Sequence, residues 1–218
     1  MRDAYQAQLV DLADGLADMC ELVAQAMAKA TRSLLEVDLR LAEQVISDDA
    51  RVDELRAAAE EKAFALLALH APVATDLRIA VSAIHGAADI ERMGDLALHV
   101  AQAARRRYPQ PVLPDEVAPY FTEMGRVGVA LARKAAHVIR TRDLAAATQL
   151  ERDDDAMDDL HRHMFTVLMN RNWRHGIGPA VDITLLARYY ERYADHAVAV
   201  ARRVVYVVTG RMPGPLTV

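Results

Sequence analysis

The sequence has little of what builds disulfides, strands or membrane spans. Its 218 residues include one cysteine, Cys20, which excludes internal disulfides and Cys-x-x-Cys metal sites. Aromatic residues make up only 5% of the chain, and alanine and leucine supply most of the hydrophobic 53%, a balance that favours helices over sheets. The N-terminus lacks the apolar core of a signal peptide, and the longest uncharged apolar stretches are too short to cross a bilayer. We therefore expect a cytoplasmic protein.

Basic charge is also scarce. The formal net charge is −5 at pH 7, and no basic stripe with interleaved aromatic residues occurs. The short basic run at 105–107 falls at a predicted helix end, where cations complement the helix dipole. We therefore expect no nucleic-acid partner.

Prolines divide the chain into helical stretches, because a helix interior excludes proline. Four of the eight prolines cluster between positions 109 and 119, near the middle of the chain. Asp38 and Asp143 stand just before apolar periodic runs and are predicted N-caps, and Pro179 fits the first turn of the last helix. The sequence thus predicts an all-α protein with six long helices, at 5–35, 38–70, 75–107, 115–141, 143–172 and 179–209.

Three helices, a proline-rich hinge and three more helices indicate an internal duplication. Asp143 lies 105 residues after Asp38, and this offset aligns acids with acids along the second helix of each half. In the third helix the offset is 100, which aligns IERMGDLALHVA at 90–101 with YERYADHAVAVA at 190–201. We predict a first three-helix bundle at 1–108, a linker at 109–114 and a second three-helix bundle at 115–218.

Each half carries a pair of acids spaced i, i+4 in its second helix and another such pair in its third. Residues at this spacing share one helix face. Both pairs lie roughly 30 Å from the turn that joins the two helices, so antiparallel packing would bring them to one height. Four ionised carboxylates at one level either take up protons or hold cations. The predicted metal ligands are Asp49, Asp53, Glu91 and Asp95 in the first half and Asp154, Asp158, Glu191 and Asp195 in the second.

An all-carboxylate site suits hard ions such as Mg²⁺, Mn²⁺, Ca²⁺ or iron, whereas zinc usually brings histidine or cysteine. His99 and His196 lie near the third-helix acids, but neither recurs in the other half, so both stay outside the predicted ligand set. Asp48 and Asp153 fall within the apolar stripe of the second helix and are further candidates. The competing interpretation is a solvated acidic face, in which Arg188 simply pairs with a nearby glutamate.

The repeat and its acidic motifs resemble those of the PhoU family of bacterial phosphate-uptake regulators, over essentially the whole chain. The resemblance rests on PVATDLR at 72–78, ERMGD at 91–95 and ERYADHA at 191–197. It implies two tandem, pseudo-symmetric, antiparallel three-helix bundles. It also implies that the same eight acids hold clusters of divalent or trivalent metal ions, which would be iron, zinc, manganese or magnesium.

The resemblance further implies an adaptor that represses the phosphate-starvation response. Such an adaptor couples the ATPase of the phosphate ABC transporter to a membrane sensor histidine kinase. It would be a homodimer, peripheral to the membrane only through its partners. No nucleophile–base pair or glycine-rich phosphate loop is visible, in agreement with a protein that is not an enzyme.

Two other functions compete with the adaptor. A di-metal carboxylate enzyme would use Glu-x-x-His motifs on two helices of a bundle. The nearest motif here is Asp158-x-x-His161, and its repeat mate is Asp53-x-x-Arg56. The third possibility is a metal-free structural bundle.

Overall fold

The computed structural model describes residues 2–211, and within that range the chain is helical and contains no strand. The six predicted helices are present, although the second is divided in two. The all-α fold class and its two three-helix halves are therefore confirmed. The helices are α1 Arg2–Glu36, α2 Leu39–Asp48, α3 Ala50–His70, α4 Ala74–Arg107, α5 Ala118–Thr141, α6 Leu144–Leu168 and α7 Ile177–Thr209.

Local sequence signals set most helix boundaries. Asp38 Oδ1 accepts the amide of Leu41 at 3.1 Å, and Asp143 Oδ1 accepts the amide of Ala145 at 2.8 Å, which confirms both predicted N-caps. The end of α6 was predicted too late, at 172 instead of Leu168. A tight turn takes over there, because a side-chain oxygen of Asn170 accepts the amide two residues further on at 2.9 Å.

The division between α2 and α3 falls at Asp49. The amide of Val52 bonds to the Asp49 carbonyl at 2.8 Å, whereas the regular bond from Asp53 is longer, at 3.4 Å. The backbone therefore tightens locally to a 3₁₀ pattern. Ser47 and the two aspartates that follow it are weak helix formers, which makes the distortion inexpensive. The equivalent Asp154 lies inside an unbroken α6, so the two halves differ at this point.

Four helices form the core, and the others flank it. α1 contacts α4 and α5, and α7 also contacts α4 and α5, so the four close into a square. α2 and α3 cover the α1–α4 edge, and α6 covers the α5–α7 edge. In the described part of the chain α6 does not contact α2 or α3, so the two flanking layers lie on separate edges.

The two halves run in opposite directions where they meet. Arg107, at the end of α4, donates to Asp182 near the start of α7 at 2.8 Å. Arg78, near the start of α4, donates to the Val207 carbonyl near the end of α7 at 3.2 Å. α4 and α7 are therefore antiparallel, so equivalent positions of the two repeats point towards opposite ends of the molecule.

Polar contacts also cross the core between the halves. The buried hydroxyls of Thr31 and Tyr190 lie 2.8 Å apart. Asp89 on α4 accepts from Arg203 Nε at 2.8 Å and lies 3.1 Å from His196 Nδ1, both on α7. Burial acts to raise the pKa of Asp89, but the hydrogen bonds from His196 and Arg203 outweigh burial and lower it. An ionised Asp89 thus ties α4 to α7.

The predicted linker at 109–114 lies in the non-helical segment between α4 and α5. Val112 and Leu113 in this segment are buried in the common core. The division of the chain at 108 and 115 stays a prediction, and residues 212–218 of the predicted second bundle lie outside the described residues. Among helices α1 to α7 as described, none is long and apolar enough to cross a membrane.

Candidate metal centres

The first acidic cluster (Asp49, Asp53, Glu91, Asp95) lies where the α2–α3 break meets α4. Gly94 permits this approach, because it places no side chain between the two layers. A Cβ added there would lie 3.4 Å from Asp49 Oδ1 and 3.3 Å from Val52 Cγ1. The glycine of the Glu-Arg-x-Gly-Asp motif therefore brings the Asp49 carboxylate onto the acidic face of α4.

The four acids of the first cluster share one electrostatic environment. Burial raises the pKa of Asp49 to about 6, and the charges of Asp95, Asp53 and Glu91 add to the rise. Burial and Asp95 also raise the pKa of Glu91. Asp49 and Glu91 therefore hold protons more tightly than solvated carboxylates do, as expected where like charges converge.

The second cluster (Asp154, Asp158, Glu191, Asp195) lies between α6 and α7 and shows the same behaviour more strongly. Burial raises the pKa of Asp154 to about 7, with further contributions from Asp158, Asp195 and Glu191. Burial also raises the pKa of Glu191 and of Asp195. The internal repeat thus builds two clusters of four carboxylates, on opposite edges of the core.

The arginine of each third-helix motif pairs with the aspartate three residues on. Arg92 Nη1 lies 2.7 Å from Asp95 Oδ2, and Arg192 Nη1 lies 3.5 Å from Asp195 Oδ2. The recurrent Glu-Arg-x-x-Asp spacing therefore includes a counter-charge for its own aspartate.

A second arginine also reaches each cluster, from α3 in the first half and from α7 itself in the second. In the first half Arg56 on α3 lies 3.8 Å from Glu91 and 3.1 Å from Glu60. In the second half Arg188 on α7 pairs with Glu191, as the competing interpretation of the sequence anticipated. The sequence reasoning did not assign Arg56 to the first cluster. Its position three residues after Asp53, on the same helix face, was the available signal.

The residues of both clusters fit a metal ion in their chemistry. Each cluster sets four carboxylates against two arginines, so its net charge is negative. Glu191 Oε2 is buried and, within residues 2–211, has no hydrogen-bond partner, an unfavourable state that a bound cation would relieve. Over that same range no three Asp, Glu, His or Cys side chains are already grouped to hold a metal. Arginine side chains pair with several of these acids, and a cation would have to displace them. The assignment of the eight ligands stays a prediction.

The neighbouring acids Asp48 and Asp153 pair with lysines of the first helix in each half. Asp48 Oδ2 lies 3.3 Å from Lys29 on α1, and Asp153 pairs with the equivalent Lys134 on α5. Their side chains are 51% and 31% exposed, so their placement in a buried apolar stripe was wrong. The pairing with Lys29 on α1 and Lys134 on α5 accounts for the outward position of these carboxylates. Because the two lysines are equivalent in the two halves, the repeat extends to the first helix of each half.

Without metal, the clusters should make the protein less stable as pH rises. In the folded state Asp49 and Asp154 have pKa values of about 6 and 7, and both values fall to about 4 on unfolding. The folded state therefore binds more protons, and the stability contributed below the unfolded pKa is lost as pH rises through the folded values. Urea unfolding in chelator should show this loss between about pH 4 and pH 7. Asp49→Asn with Asp154→Asn should flatten the curve, and an equally steep curve in that variant would contradict the assignment.

Two stretches of the chain, residues 16–104 and 121–204, match the family model of the PhoU domain. These matches correspond to the two halves of the internal repeat. The phosphate-specific transport system accessory protein PhoU homolog 2 of Mycobacterium tuberculosis is 60% identical over 213 residues, covering 98% of this chain and 100% of that protein.

PhoU homolog 1 of Mycobacterium leprae is 57% identical over 218 residues, covering 100% of this chain and 98% of that protein. The crystal structure of the phosphate transport system regulatory protein PhoU from Streptococcus pneumoniae superposes with a TM-score of 0.87 at 23% identity. It covers 96% of this chain and 99% of that one. At this identity the superposition shows a common fold.

Proposed function

Since this chain belongs to the PhoU family, we propose that it is an accessory regulator of phosphate transport. The observation that carries the proposal is the 60% identity, over nearly the full length of both chains, to a phosphate-specific transport system accessory protein. The family resemblance expected from the sequence motifs is thereby confirmed.

The finer proposal is an adaptor that couples the ATPase of the phosphate transporter to a membrane sensor histidine kinase. An adaptor needs at least two binding surfaces, and the repeat supplies two equivalent exposed apolar stripes. Leu77 and Val81 are exposed near the start of α4, and Ile177 and Val181 are exposed at the equivalent positions of α7. Because α4 and α7 are antiparallel, the two stripes lie near opposite ends of the molecule. Exposed apolar stripes of this kind favour contacts with partner helices.

The carboxylate clusters have a supporting role in this proposal. Each cluster lies between a flanking helix and the core, so metal binding would fix that helix in place. We propose a regulator that is not an enzyme, acting as a cytoplasmic homodimer. The Glu-x-x-His motifs that a di-metal carboxylate enzyme would require are absent from the sequence.

Gene deletion tests the regulatory function directly. Without the repressor, phosphate-responsive genes should be expressed in phosphate-rich medium at the level normally reached only in starvation. Reporter expression measures this, and the wild-type gene supplied in trans should restore repression. Unchanged reporter expression in the deletion strain would overturn the proposed function.

A further inference from the structure

His161 on α6 lies beside the second cluster but was left out of the predicted ligand set. It follows Asp158 by three residues and Asp154 by seven, so all three share one helix face. The imidazole is half-buried, and its charged neighbours include Asp195 and Arg188 on α7. The ring packs edge-on against Phe165 at a centroid distance of 5.2 Å, which positions it without using its nitrogens. Across residues 2–211 no hydrogen bond to either ring nitrogen is formed.

The first cluster has no equivalent of this imidazole. The repeat aligns His161 with Arg56, whose guanidinium lies 3.1 Å from Glu60 and 3.8 Å from Glu91. A guanidinium has no lone pair to offer a metal and keeps its charge, whereas a neutral imidazole has a free nitrogen lone pair. The same position in the repeat therefore carries a permanent cation in one half and a potential ligand in the other.

We propose that His161 supplies a nitrogen ligand to the second cluster and that the two clusters consequently select different metals. The first cluster offers oxygen alone and takes a hard cation of the Mg²⁺ or Mn²⁺ class. The second offers oxygen and nitrogen and takes a borderline cation of the Zn²⁺ class. The unpartnered Glu191 Oε2 marks the buried side of this second site. The inference rests on the metal-binding part of the proposed function.

The test is zinc retention against excess magnesium. The chelator-stripped full-length protein is equilibrated with Zn²⁺ and excess Mg²⁺, dialysed, and its metals are counted by mass spectrometry. The second cluster of the parent should retain zinc, and His161→Gln should weaken zinc binding by about 10-fold or more. Arg56→His should create a second zinc-retaining site. X-ray absorption of the zinc-loaded parent should show an imidazole nitrogen at about 2.0–2.1 Å.

His163→Gln is the matched control, because His163 lies on the same helix but packs against Tyr120 on α5. It should retain zinc like the parent. Equal zinc affinity in the parent and His161→Gln, with no imidazole signal, would overturn the ligand role of His161 alone. Failure of the parent to bind any metal would overturn this inference together with the proposed metal clusters. Neither result would alter the outcome of the gene-deletion test, which reports on phosphate regulation separately.

Discussion

Replacing Asp49 and Asp154 together by asparagine is expected to strip both clusters of metal. These two acids have the most strongly raised pKa values in their clusters, about 6 and about 7, because each is partly buried and lies near three other carboxylates. A bound cation would offset the repulsion among these carboxylates. Loss of one carboxylate removes a ligand and reduces the negative charge that attracts the cation to the remaining ligands. Mass spectrometry of the dialysed protein should show metal binding weakened about 100-fold or more, since even outer-shell changes cost about 10–100-fold.

The adjacent pair Asp48 and Asp153 provides the control. Asp48→Asn with Asp153→Asn removes the same charge from the residue that precedes each cluster acid, but Asp48 and Asp153 pair with Lys29 on α1 and Lys134 on α5. This control variant should retain the metal of the parent. Equal metal loss in both double variants would show that overall charge, rather than the clusters, governs binding. A parent that takes up no metal even when metal is offered would overturn the ligand assignment.

Each cluster should also respond to its own substitution alone. In the described structure the flanking layers do not touch, because α6 contacts neither α2 nor α3. Asp49→Asn should therefore empty the first cluster and leave the second loaded, and Asp154→Asn should do the reverse. Loss of half the metal in each single variant would show that the duplication built two independent sites.

Metal also reverses the effect of these substitutions on stability. In chelator, asparagine relieves the repulsion within a cluster and should stabilise the fold at pH 8. In the presence of metal, the free energy of unfolding of the parent rises by RT ln(1 + [L]/Kd), where [L] is the free metal concentration, and the variant does not gain this stability. The sign of the stability difference between parent and variant should therefore change when metal is added. Such a reversal separates a metal site from a surface charge pattern.

Much of the fold could be predicted because its signals are local. The caps at Asp38 and Asp143, the proline cluster near the centre and the offset of the repeat need only neighbouring residues and the helical period. The same arithmetic placed the second-helix acids at the height of the third-helix acids, and the structure shows them within one electrostatic environment.

The features that the sequence did not reveal depend on contacts between distant elements. The break at Asp49 arises where weak helix formers meet the approach of α4 at Gly94, and no proline marks it. The outward position of Asp48 depends on Lys29 in another helix. The pairing of Asp89 with Arg203 joins residues 114 positions apart, across an interface between the halves that helix periodicity does not specify. The presence of a helix thus depends on nearby residues, whereas the side chain that faces each acid depends on how the helices pack.

Gly125→Ala is expected to destabilise the junction of the two halves. A Cβ at this position of α5 would lie 2.6 Å from Thr31 Cγ2 and 2.7 Å from Thr31 Oγ1 on α1. Thr31 cannot turn away freely, because its hydroxyl lies 2.8 Å from the Met27 carbonyl and 2.8 Å from the Tyr190 hydroxyl. Such overpacking costs about 1–3 kcal/mol, and loss of the hydroxyl contact adds about 1 kcal/mol. This exceeds the gain of about 1 kcal/mol from replacing a helical glycine.

Gly128→Ala, one turn further along α5, is the control, because it also replaces a helical glycine by alanine but creates no comparably close contact. There the added Cβ would lie 3.4 Å from Tyr193 Cδ1, an ordinary van der Waals contact, so helix propensity should leave the protein as stable as the parent or more so. Urea unfolding of both variants should give differences of opposite sign. Thr31→Ala should partly rescue Gly125→Ala, because it removes the two closest atoms and leaves only the contact at 3.0 Å. If Gly125→Ala is as stable as Gly128→Ala, the helices do not approach as closely at Thr31 as the fold requires, and the packing of the first half against the second must be revised.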